Sequence, residues 1–259
     1  MKSKVKRRYI ILLSLLLLVV TFGIVFFQFT PIGYCMTVQF RDFTEVEHNI
    51  YIDNEYSYVT VNENNELIDK DNVPSLINEA KSRVRAFFGE LQSDPVFIIS
   101  DKSDKYSKTG SGIAYTFTLF RVHSYIAISH THLNVDVIAH EITHAELHYR
   151  VTEGKLFQVG NDYGIPVWFN EGLAGINDHR EFLSDEAMNR KIEIGFEFFD
   201  VTQLSRADFI DVNSFLSQEN YLMCTHVVKT WVDVNGIDAL LLLIDGVRSG
   251  DDFFELYGS

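Results

Sequence analysis

Hydrophobic positions follow different patterns in successive parts of the chain. The first is an uncharged apolar run at residues 9–27. Alternating apolar and polar residues then predict strands at Asn49–Asp53 and Tyr56–Val61. From Pro74 to Phe88 apolar residues recur every three or four positions, and Gly89 follows. This spacing predicts a helix that ends at the glycine.

The middle of the chain predicts a small sheet, and the rest predicts helices. Short apolar or alternating runs at 95–100, 114–120 and 124–129 are typical of strands, the last two forming a pair. From about residue 134 the helical period dominates to the end. We therefore predict an α+β fold, in which a small mixed sheet packs on the first of these helices and a mainly helical C-terminal part follows.

The apolar run predicts a membrane anchor. As a helix, its 19 residues would span roughly 28 Å, about one hydrocarbon core. Five basic residues precede it, and no small-residue cleavage site follows, although a cleaved secretion signal is the alternative. Since basic flanks stay in the cytoplasm, we expect a single-pass signal anchor with the remaining chain outside the cytoplasm.

These patterns divide the chain into four segments. Residues 1–8 form a cytoplasmic basic segment, 9–28 a transmembrane signal anchor, and 29–46 a tether that contains Pro31. Residues 47–259 follow as one compact domain.

Composition narrows the function further. The chain has 22 basic and 36 acidic residues, a net charge of −14, which argues against a nucleic-acid partner. An apolar share of 46% excludes wholesale disorder. The two cysteines, Cys35 and Cys224, are too few for a disulfide scaffold or an all-cysteine zinc site, and whether they pair stays open.

The candidate chemistry lies in the middle of the chain, where residues 140–144 read HEITH. On a helix His140 and His144 project from one face, and Glu141 lies about 100° around from His140. Two imidazoles on one face supply two metal ligands. A catalytic zinc ion takes a third protein ligand and leaves a further position to water. We predict a zinc site within residues 134–178.

The third ligand is expected on a second element. Glu171 is favoured because Pro166 begins a second helix well and because Gly172 and Ala174 are small enough to let this helix approach the first. A fourth ligand at His148 would instead close the site and make the zinc structural. The carboxylates considered for the third position are Glu146, Glu153, Asp162, Glu171 and Asp178.

HEITH followed by PVWFNEGLA at residues 166–174 resembles the gluzincin metallopeptidases, specifically the peptidase MA-like group. The resemblance covers roughly residues 75–259 and implies a zincin-like domain. It implies one catalytic Zn²⁺ held by His140, His144 and Glu171, with Glu141 as general base. Thermolysin-like members carry an aspartate four residues after the ligand glutamate, to steady a histidine. Gly175 stands there in this chain, and Asp178 is the nearest substitute.

The resemblance also implies an oxyanion donor and a substrate class. Tyr221, expected to open a later helix, is the leading donor, and His226 is the other candidate. In gluzincins the strand before the zinc helix, here Tyr125–Ile128, is an edge that pairs with an extended peptide, so we expect a polypeptide substrate.

The sequence thus predicts a membrane-anchored zinc metallopeptidase, and a largely bacterial family implies the inner membrane of a bacterium. A zinc hydrolase of a non-peptide amide and a catalytically silent zinc-containing binding module are the alternatives. The sequence does not indicate the cleavage preference or the oligomeric state.

Overall fold

The structure is a computed structural model that describes residues 14–22, 58–61, 72–100, 114–119, 123–129, 132–152, 164–209 and 214–258. The chain divides into two compact units, Met1–Val46 and Glu47–Ser259. The predicted tether and the predicted strand at Asn49–Asp53 lie outside the described residues.

The predicted membrane anchor is wrong. In the first unit the helix described covers residues 14–22. No helix among the described residues is long and apolar enough to cross a membrane. The predictions of a single-pass membrane helix and of a location in the cell membrane are corrected accordingly.

The second unit contains a four-stranded mixed sheet in the order β1-β2-β4-β3. Its parallel part is β1-β2-β4, and β3 runs antiparallel to β4, which confirms the predicted pair. However, β4 lies inside the sheet, so the prediction that Tyr125–Ile128 forms the edge is wrong. The two edge strands of the described sheet are β1 and β3, and β3 lies along the outer side of β4. The strands are β1 (Tyr58–Val61), β2 (Val96–Ser100), β3 (Ala114–Leu119) and β4 (His123–Ser129).

Helices dominate the described residues. Each described strand holds four to seven residues, whereas the longest helical segment, which includes a kink at Gly236, holds 35. The predicted α+β class is therefore wrong in the share of strand that it expects, and it is also wrong in its membrane helix. The helices are α1 (Val73–Phe88), α2 (Val135–Thr152), α3 (Val167–Ile176), α4 (Asp185–Glu193), α5 (Phe215–Ser249) and α6 (Phe253–Tyr257), with short 3₁₀ helices at Glu181–Leu183, Val201–Gln203 and Arg206–Phe209.

Helix α5 begins earlier than expected. Ser214 caps it by accepting a hydrogen bond from the Ser217 amide, so Tyr221 lies in the second turn rather than at the start. Gly236 has a φ of 83°, which is outside the helical region and divides α5 into two helices joined at a kink.

Helix α2 is the centre of the core and carries the HEITH segment. It contacts α1, α3, α5, β3 and β4. Ile138, Ile142 and Ala145, spaced three or four residues apart, are completely buried on one side of this helix. A helix enclosed on so many sides holds its polar side chains in fixed positions, because few rotamers fit a packed interior.

Candidate metal centre

Three side chains from two helices bring their metal-binding atoms together. His140 and His144 lie one turn apart on α2, and Glu171 lies on α3. The two Nε2 atoms are 3.1 Å apart. The Oε2 atom of Glu171 lies 3.5 Å from Nε2 of His140 and 3.4 Å from Nε2 of His144. These three residues form a group that could hold a metal ion.

The separations fit the ligand shell of a small cation. Ligand atoms about 2.0–2.1 Å from a tetrahedral ion are about 3.4 Å from one another. The second ring nitrogen of each histidine lies next to an oxygen atom, as is usual for a histidine that binds metal. Nδ1 of His144 is 2.8 Å from Oδ1 of Asn170, and Nδ1 of His140 is 3.2 Å from Oδ2 of Asp178. With Nδ1 protonated on both rings, two lone pairs and a carboxylate oxygen converge, and such an arrangement could hold a cation.

Asp178 is itself held in place. Its side chain is completely buried, and the Nε atom of Arg180 donates to both carboxylate oxygens at 2.9 Å. Asp178 is the residue that the sequence offers as substitute for the missing aspartate. It lies beyond the end of α3 at Ile176 and approaches His140 from the segment that follows. Sequence reasoning missed Asn170, whose only signal is its position directly before Glu171.

Burial and neighbouring charges shift the pKa values in this group in opposite directions. Burial lowers the pKa of His140, but the nearby carboxylates of Asp178 and Glu171 outweigh burial and raise the pKa to about 9. Burial raises the pKa of Glu171, yet His144 and His140 hold that pKa well below its ordinary value. Asp178 behaves similarly, because His140 and Arg180 overcome burial and lower its pKa to about 2. Both carboxylates are therefore ionised at neutral pH, which suits a bound cation.

Helix α3 presents Glu171 through a close contact with α5. A Cβ atom at Gly172 would overlap the carbonyl oxygen of Cys224 and lie 2.6 Å from Cγ2 of Val228. The sequence predicts that this small residue lets α3 approach the HEITH helix, but the residue serves the contact with α5 instead. The position of Glu171 thus depends on the packing of α3 against a third helix.

Glu141 lies beside the metal group and is held by the edge strand. Its side chain is buried, and Oγ1 of Thr116 on β3 donates to its Oε2 atom at 2.5 Å. Sequence reasoning missed Thr116. Thr116 stands in register with the buried Ile126 of β4, a pairing that the strand pattern alone does not determine.

The two candidate oxyanion donors lie in different surroundings. The ring centroid of Tyr221 is 6.0 Å from that of His140, and its hydroxyl donates to the carbonyl oxygen of Phe209 at 3.3 Å. His226 lies instead against Phe198, with ring centroids 6.0 Å apart. Of the two, Tyr221 contacts a residue of the metal group.

Glu146, another carboxylate considered as third ligand, does not join the group. Glu146 is completely buried, accepts from the backbone amides of Gln92 and Ser93, and pairs with Arg150, so it ties α2 to the segment after α1. Glu153 and Asp162 lie outside the described residues.

His148, the residue considered as a fourth ligand, contacts the group without belonging to it. Its Nε2 atom lies 3.4 Å from Nδ2 of Asn170. Burial, followed by His144 and Arg206, lowers its pKa to about 3. A neutral His148 can therefore accept a hydrogen bond from the amide whose oxygen faces His144.

No family model, curated protein or solved structure matches the chain. The interpretation of the site therefore depends on the chemistry of its own residues.

Proposed function

We propose that the chain is a zinc-dependent metallopeptidase of the gluzincin type. The observation that supports this function is the triangle of Nε2, Nε2 and Oε2 atoms with sides of 3.1–3.5 Å, formed by His140, His144 and Glu171. Two imidazole nitrogens and one carboxylate oxygen are a ligand set typical of catalytic zinc, and three protein ligands leave a position for water. When bound, zinc supplies Lewis acidity, which lowers the pKa of water and polarises a carbonyl group.

Glu141 acts as general base in this proposal. Its Oε2 atom accepts the hydrogen bond from Thr116, while Oε1 takes no hydrogen bond from any described residue. Oε1 is thus the atom that can accept a proton from the attacking water and later pass it to the leaving amine. Asn170 and Asp178 keep Nδ1 of the two histidines protonated, so that each Nε2 presents its lone pair.

Tyr221 is the proposed donor to the oxyanion that develops on the substrate. Burial, followed by the charges of Glu171 and Glu141, raises the pKa of its phenol well above the ordinary value, so the hydroxyl keeps its proton. Its present bond to the Phe209 carbonyl is long at 3.3 Å, and a developing negative charge would be a stronger acceptor.

The edge strand supports a peptide as substrate. Among the described strands, β3 has a neighbour on one side only, which is β4. Thr116 of β3 also contacts Glu141. An extended peptide that pairs with the outer side of β3 would therefore run close to the proposed general base.

The test is to load the full-length protein with zinc and to measure bound metal and hydrolysis of a broad peptide mixture. We expect one zinc ion per chain, a loss of zinc in Glu171→Ala, and retained zinc without turnover in Glu141→Gln. Absence of zinc from the wild-type protein would refute the site. Zinc without peptide hydrolysis would favour a non-peptide amide substrate or a silent binding module.

A further inference from the structure

We infer that Thr116 is a positioning residue for Glu141, acting from the edge strand through a single hydroxyl hydrogen bond. The inference rests on the proposed function, because it concerns the residue that serves there as general base. Its evidence is the contact between Oγ1 of Thr116 and Oε2 of Glu141, which at 2.5 Å is a short hydrogen bond between a hydroxyl group and a carboxylate.

The hydroxyl proton has one preferred acceptor. Oγ1 of Thr116 lies 2.5 Å from Oε2 of Glu141 and 3.2 Å from the backbone carbonyl oxygen of the same residue. A hydroxyl group donates one proton, and an ionised carboxylate is a stronger acceptor than a neutral carbonyl group. The proton therefore lies on the line to Oε2. This arrangement fixes one carboxylate oxygen and leaves Oε1 for the reaction.

The position of Thr116 in the sheet indicates that the hydroxyl group, rather than the shape of the side chain, is required. Thr116 stands in register with Ile126, which stands in register with Phe97. Ile126 and Phe97 are at most 1% exposed, so a polar residue ends an apolar row across the sheet. Valine has the same shape as threonine and is at least as well suited to such a row. Only the hydroxyl group distinguishes the two, and its hydrogen-bond acceptor is Glu141.

Holding Glu141 has a direct consequence for catalysis. A glutamate side chain has three rotatable bonds, and a general base must lie within hydrogen-bond reach of the proton it abstracts. A fixed Oε2 presets the direction of Oε1 before substrate arrives. Loss of the hydroxyl group would let the carboxylate sample other rotamers, which lowers the rate of the chemical step more than it lowers substrate binding.

The experiment compares Thr116→Val, which keeps the shape, with Thr116→Ser, which keeps the hydroxyl group. In the zinc-loaded full-length protein we expect Thr116→Val to lower kcat about ten-fold, a part of the 10²–10⁴-fold that a positioned base contributes. We expect KM and the zinc Kd to stay within about two-fold, since Thr116 hydrogen-bonds to Glu141 and, among the described residues, to none of the three proposed ligands. We expect Thr116→Ser to recover most of kcat. An unchanged kcat in Thr116→Val, or an equal loss in Thr116→Ser, would overturn the inference. A fall in zinc affinity would do so as well, because it would indicate a structural role.

A second measurement separates failure of this inference from failure of the proposed function. Acetohydroxamate, a small zinc-binding probe, can donate a hydrogen bond to a neighbouring carboxylate, so its Kd reports on Glu141 without turnover. We expect the Kd to rise several-fold in Thr116→Val, more in Glu141→Gln, and little in Thr116→Ser. If the wild-type protein hydrolyses no peptide, the proposed function fails. The acetohydroxamate series then decides the role of Thr116, and an unchanged Kd in Thr116→Val refutes it.

Discussion

The substitution Gly172→Ala tests how helix packing places Glu171, the third ligand in the proposed zinc site. Gly172 follows Glu171 directly, at the contact between α3 and α5. The added Cβ atom would overlap the carbonyl oxygen of Cys224 and lie 2.8 Å from its carbonyl carbon and 2.6 Å from Cγ2 of Val228. Backbone atoms cannot rotate away as a side chain can, so the two helices must separate.

The size of the separation sets the expected effect. Ordinary contact begins at 3.4 Å, so the Cys224 carbonyl carbon alone requires a shift of about 0.6 Å. Metal ligands tolerate about 0.2 Å, and Glu171 moves with α3. We expect the zinc Kd to rise at least about 100-fold, or about 2.7 kcal/mol.

The loss of fold stability should be smaller than the loss of zinc affinity. Overpacking costs about 1–3 kcal/mol, and alanine recovers up to about 1 kcal/mol as the better helix former. Zinc affinity is therefore the more sensitive measure.

The assay is a zinc titration in competition with a chromogenic chelator, with circular dichroism to verify folding. Gly246→Ala is the matched control, because its Cβ atom would meet the flexible side-chain carbon Cδ1 of Leu256 at 2.6 Å, where α5 contacts α6. We expect this control to keep wild-type zinc affinity. A folded Gly172→Ala protein that binds zinc within about three-fold of wild type would refute the reasoning.

Two further predictions concern a histidine partner and the buried thiol. Asp178→Asn replaces the charged acceptor of Nδ1 of His140 with a neutral one, so we expect about ten-fold weaker zinc binding in the same competition titration, and unchanged affinity would contradict this role. Burial raises the pKa of Cys224, so the thiol stays protonated from about pH 7 to 9. In a Cys35→Ser background we expect no reaction with a thiol reagent until the protein is denatured, and labelling of the native protein would contradict this.

The part of the site that lies within one helix could be predicted from the sequence. The spacing of His140 and His144 fixes their common face through the helical period alone. The prediction of Glu171 required information from outside the HEITH helix, because the choice among five carboxylates depended on where a second helix begins. The proline at 166 and the small residue at 172 gave that information, although the small residue contacts α5 rather than α2.

Contacts that depend on tertiary register were not predictable. Asn170 and Thr116 carry no metal-binding group, and each becomes significant only through the partner that packing brings to it, His144 or Glu141. The edge of the sheet was misassigned for a related reason. Strand pattern predicts that β3 and β4 pair, but it does not determine which of them takes the outer place.

Helix packing explains why the carboxylate beside Nδ1 of His140 comes from Asp178 and not from position 175. Thermolysin-like gluzincins place an aspartate four residues after the ligand glutamate, but here a Cβ atom at Gly175 would overlap Oγ1 of Thr225 on α5. No aspartate fits there while α3 keeps its close contact with α5. Because α3 ends at Ile176, the chain can turn and bring Asp178 to Nδ1 of His140 instead. The carboxylate that orients the histidine thus comes from beyond the helix, and this leaves the helix surface small enough for the contact that positions Glu171.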